Sequence, residues 1–73
     1  MARVLHMLKP GDTALALETI DHQSAAGDLV TVALLPGATA TPPPGIPARR
    51  VPEELSWADL LEEIFEADQV IAW

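Results

Sequence analysis

A chain of 73 residues builds at most one domain, spanning 1–73, and folding at this length buries only about 60% of the chain's surface, so the core has little to spare. It has no cysteine, which excludes disulfides, thiolate ligands and persulfide chemistry, and two histidines among scattered carboxylates make no structural zinc set. A net charge of −7 with four basic residues disfavours direct nucleic-acid binding, while 49% apolar residues are too many for a disordered chain.

The opening MARVLHMLKPGD has an apolar run of about five residues and no small-residue cleavage site, so it does not read as a signal peptide. No run approaches the roughly 20 residues needed to cross a bilayer. A soluble, cytoplasmic protein is the expectation. Within that opening, RVLHML (3–8) is short, apolar and stopped by Pro10-Gly11, which predicts a strand buried on both faces. KPGDT is a turn, with Asp12 placed to accept first-turn N–H groups of a helix. The helix is predicted over 13–26, with Ala14, Leu17, Ile20 and Ser24 on its inner stripe and Ala16 beside it. Gly27 ends it.

LVTVALL (29–35) is β-branched and aliphatic between Gly27-Asp28 and Pro36-Gly37, a second strand. The connector 36–47, PGATATPPPGIP, has five prolines and two glycines and cannot form a helix. It reads as a stiff link; a ligand for a proline-recognising domain is the other reading, and PPPG alone carries it weakly. ARRV (48–51) is a short third strand with at least one side in water.

The second helix, over 56–68, has the clearest local pattern. Ser56 and Asp59 form a variant capping box, and Leu55 and Leu60 take the staple positions. Trp57, Leu60, Leu61, Ile64 and Phe65 recur at i, i+3, i+4, i+7 and i+8, one apolar stripe, with Glu62, Glu63 and Glu66 off it. Residues 69–73 form a fourth strand, QVIAW.

The order β-α-β-loop-β-α-β predicts an α/β fold with a small parallel four-stranded sheet, strand order 2-1-3-4 and one helix on each face. The link from the second strand to the third then has to cross the sheet without a helix. That leaves one face thinly covered near the first two strands, and a thin cover marks a partner surface.

The sequence holds little chemistry. His6, alone on a strand with no nucleophile or carboxylate set beside it, reads first as a satisfied core or boundary histidine. His22, late in the first helix, suits the helix dipole. Lys9 to Thr13 sits where phosphate binds in such folds, but it lacks a glycine fingerprint or Walker pair, and Asp12 would repel an anion. Glu62 and Glu66 lie on an exposed face with nothing to shift their pKa values. No catalytic residue, cofactor site or metal site is expected. After Arg50 there are seven acidic residues and no Lys or Arg. A solvated helix face is the plain account; an acidic module docking a basic partner through Glu62, Glu63 and Glu66 is the alternative.

The opening VLHMLK and the closing QVIAW resemble the ends of the TusB/DsrH sulfur-relay family of the DsrE superfamily, carried by Leu5, His6, Leu8 and Trp73. The resemblance implies a small α/β subunit that assembles with itself or with sister subunits in oligomers passing persulfide sulfur, as in tRNA thiolation. Members of that family are typically longer, with a helix where this chain has ATATPPPGIP, and some carry a cysteine that this chain lacks. The implied role is therefore architectural and non-catalytic. It would also explain the apolar end, with Trp73, Ile71, Val70 and His6 at a subunit interface; the alternative is that Trp73 covers the domain's own core.

Overall fold

The computed structural model describes all 73 residues. Its elements run β1 (Arg3–Leu8), α1 (Ala14–Ala25), β2 (Leu29–Leu34), β3 (Ala48–Arg50), α2 (Trp57–Glu66) and β4 (Gln69–Ala72). All three strand pairings are parallel, and the sheet is four-stranded. The α/β class and the element order are those expected from the sequence.

The strand order is 3-2-1-4, not 2-1-3-4. The reason lies in the proline-rich connector. A link with no helix has no apolar face broad enough to carry the chain over β1 to the far side. It stays on the α1 side instead, where Ala38 is buried and Ala40 and Ile46 pack beside it, and β3 adds next to β2. The return from β3 to β4 then passes over β2 and β1 on the opposite face, carried by α2. Two single-position moves one way on one face and a return of three positions on the other is the pattern that right-handed crossovers give.

Strand alternation sorts the core into two layers. Val4 and Leu8 of β1 and Val30, Val32 and Leu34 of β2 face α1, meeting Ala16 and Ile20. Leu5 and Ala33 face α2, meeting Leu60 and the turn residues Val51 and Leu55. One helix therefore covers each face, as expected. The cover is not thin under the connector: every one of those α1-side strand residues is buried. It is thin on the opposite face, where Met7 and Leu35 at the carboxyl ends of β1 and β2 are only half-buried.

The helix starts keep one bond each of those expected, without the return bond from Asp59 to the Ser56 N–H. Asp12 Oδ1 accepts from the Ala14 N–H at 3.0 Å, and Ser56 Oγ accepts from the Asp59 N–H at 3.1 Å. The staple residues Leu55 and Leu60 are both buried in the α2-side layer. Gly27 ends α1 with φ +95°. Ala14, placed on the inner stripe from sequence, is exposed; Leu17 and Ile20 pack on the core as expected, with Ala16 buried and Gln23 half-buried beside them. Between β3 and α2 the Arg50 carbonyl accepts from the N–H groups of Glu54 and Leu55, at 2.8 and 3.0 Å, which seats α2 on the sheet. No helix is long and apolar enough to cross a membrane.

Candidate functional site

His6 lies in the middle of β1 and is fully buried. Both ring nitrogens have partners. The Trp73 indole N–H, which can only donate, reaches His6 Nδ1 at 2.9 Å. Nδ1 is therefore the acceptor, and the proton sits on Nε2, which donates to Gln23 Oε1 at 2.6 Å. The two ring planes are 11° apart with centroids separated by 6.1 Å. That separation fits rings side by side in an in-plane hydrogen bond, rather than stacked faces. One buried histidine thus joins β1, α1 and the residue after β4.

Of the residues expected at a subunit interface, Val70, Ile71 and Trp73 are half-buried. His6 does not reach the surface. Trp73 and Ile71 pack against the α1-side layer, and Val70 packs against the α2-side layer. The apolar end of the chain packs on the chain's own core and keeps part of its surface in solvent. The outer edge of β4 still has no strand beside it, since β4 pairs only with β1.

The acidic face is also largely committed within the chain. Arg49 and Arg50 are adjacent on β3 and point to opposite sides. Arg49 reaches α2, where its Nη2 donates to both carboxylate oxygens of Glu63. Arg50 reaches the connector, donating to the Ala38 carbonyl at 3.0 Å. Glu66 lies 3.9 Å from Arg3, both well exposed. Asp68 accepts from the Arg3 N–H and Glu54 from the Arg50 N–H. Of the three carboxylates expected to form a docking face, only Glu62 has no cationic partner. The Arg49–Glu63 side chains are 39% and 23% exposed, so solvent screens the pair. A double-mutant cycle with Arg49→Met and Glu63→Gln should return a coupling of about 1 kcal/mol that shrinks in high salt; chemical denaturation of the four proteins measures it.

Two concavities exist. One, of about 460 Å³, opens at the amino ends of the strands between Arg3, Ser24, Asp28, Ile46 and Glu66. Its polar groups serve each other: Asp28 Oδ1 takes the Ala2 N–H, and Arg3 sits by Glu66. No buried side-chain polar atom is without a partner, and no group of three His, Asp or Glu side chains is placed to hold a metal. At the β1–α1 turn, where phosphate would bind, the Asp12 carboxylate already occupies a first-turn N–H.

The second is a groove of about 450 Å³ lined only by Met7, Leu35, Trp57, Leu60, Leu61 and Ile64. Beside it stands the part of the α2 stripe that the sheet does not cover. Trp57 is 54% exposed, Leu61 53% and Phe65 79%. The sequence shows one apolar stripe, and the sheet covers only part of it. Its width is the reason: at 100° per residue, Leu60 round to Phe65 subtends about 140°, more than one flat sheet face covers. Gln23 was missed because it becomes meaningful only as the partner of a buried histidine.

No protein-family model, no curated protein and no solved structure matches this chain.

Proposed function

We propose that this chain is a non-catalytic α/β subunit that works by assembling with a sister chain through the exposed ridge of α2. The carrying observation is that ridge: three large apolar side chains, Trp57, Leu61 and Phe65, stand in solvent along one helix above an apolar groove. Solvent-exposed side chains of this size in a contiguous patch mark protein contact surfaces. In a domain so short of core, leaving them outside withholds stabilisation the fold could use. The resemblance carried by Leu5, His6, Leu8 and Trp73 points to sulfur-relay assemblies as the setting. What supports it is that His6 and Trp73 are hydrogen-bonded partners across the sheet, a structural unit and not two unrelated residues. Without cysteine the chain cannot carry the sulfur, so its part in such an assembly is architectural.

Co-purification at native mass tests the assembly. The tagged chain, expressed in its own cells, should elute in a complex of fixed stoichiometry. The Leu61→Asp variant should elute near its own 7.8 kDa with an unchanged melting temperature. Elution of both at the monomer mass would refute the reading.

A further inference from the structure

We infer that the α2 ridge seats a basic amphipathic helix of another protein, laid along α2 with its apolar edge in the groove and its Lys or Arg side chains over the acidic flank. This rests on the assembly reading and names the chemistry of the partner.

The shape argues for a helix. Trp57, Leu61 and Phe65 follow each other at i, i+4 and i+8, a row about 12 Å long over two turns. The groove beside them offers no polar side chain, only Met7, Leu35 and the apolar side of α2. An open apolar trough alongside a helix is what the i, i+3/i+4, i+7 edge of a second helix fills.

The charge argues for a basic one. Residues 1–50 carry four basic and four acidic side chains and cancel, so the whole net charge of −7 lies in 51–73. On α2 itself there is no basic residue. Glu62 lies about 60° round the helix from Phe65, with only Ala58 between them in helical angle. Glu62 is exposed and has no cation within the chain to pair with, unlike Glu63 and Glu66. The exposed Trp57 ring adds a face on which an ammonium or guanidinium can rest. A second copy of this chain would bring another α2 with no basic residue against this one, and like charge facing like charge across a contact is unfavourable.

The test is titration of the intact chain with three synthetic helical peptides that share one leucine stripe and differ in their polar residues: all Lys, all Gln or all Glu. Calorimetry and tryptophan emission read binding. The Lys peptide should bind and shift the emission to the blue, and its Kd should rise about tenfold or more between low and high salt. The Glu peptide should not bind. Leu61→Asp should weaken the Lys peptide at least tenfold although it adds a negative charge, Glu62→Gln should weaken it about threefold, and Asp59→Asn, on the far side of α2, should leave it unchanged. Thermal melts confirm that each variant is folded. If Leu61→Asp binds the Lys peptide as well as the parent does, the attraction is charge alone and the ridge is not the seat. If the Gln peptide binds as tightly as the Lys peptide, the partner is apolar but not basic; this inference falls while the assembly reading stands. If the chain alone forms a dimer that Leu61→Asp dissolves, the occupant is a second copy, again overturning only the basic partner. Failure of all three peptides overturns the inference, and the native-mass experiment then decides the assembly reading separately.

Discussion

Trp73→Ala should destabilise the isolated chain by about 3 kcal/mol in urea unfolding, although Trp73 lies outside every regular element. About 2 kcal/mol comes from the lost packing of a half-buried indole against the α1-side layer. The remainder comes from His6 Nδ1, a fully buried acceptor that loses its only donor. For a chain of 73 residues, whose total stability is of order 5–10 kcal/mol, that is a large share, and the melting temperature should fall by about 15 °C. Trp73→Phe separates the two contributions. It keeps most of the ring and removes the N–H, so it should cost about 1 kcal/mol. The same geometry fixes a spectroscopic outcome: ¹⁵N spectra at neutral pH should show His6 as the Nε2-protonated tautomer. A chain ending at Gln69 loses the Ile71 and Trp73 contacts and the bond from the Trp73 N–H to the Met7 carbonyl, and it should fail to fold. If Trp73 were a partner contact instead, Trp73→Ala would leave the melting temperature of the isolated chain unchanged and alter only its assembly.

Element type and order were legible because local chemistry determined them: Gly27 stopped α1, Ser56 capped α2, and the prolines of 36–47 forbade a helix. Strand order was not, because it depends on which face a helix-free link follows, and the buried contact that decides this is one small residue, Ala38. The acidic face read as free surface because pairing depends on register. Only the alignment of β3 on β2, Ala33 with Arg49 and Leu34 with Arg50, sends Arg49 toward α2 and Glu63. His6 and Trp73 were both conspicuous, one a polar residue in a buried strand and the other an aromatic with a single donor. Their meeting needed β4 to lie beside β1, which places Ile71 level with His6 and Trp73 within reach.

The α2 stripe carries the second large effect and the sharpest contrast. Leu60 is buried in the layer formed with Leu5, Ala33, Val51 and Leu55, and its truncation leaves a cavity under the only helix on that face. Leu60→Ala should therefore cost about 3 kcal/mol. Leu61→Ala and Phe65→Ala, next along the same helix and as apolar in sequence, should each stay within about 0.5 kcal/mol, because their side chains are mostly in water in the folded chain as they are in the unfolded one. Urea unfolding of the three variants tests this directly. Costs of about 3 kcal/mol at all three positions would mean that the stripe is a single core face, as the periodicity alone implies, and would remove the ridge on which the partner reading stands. A cost confined to Leu60 divides the stripe into a half that holds the fold and a half kept outside it. Apolar residues that contribute nothing to their own domain's stability, on a helix that also exposes the unpaired carboxylate of Glu62, have their energetic use in a contact with another molecule.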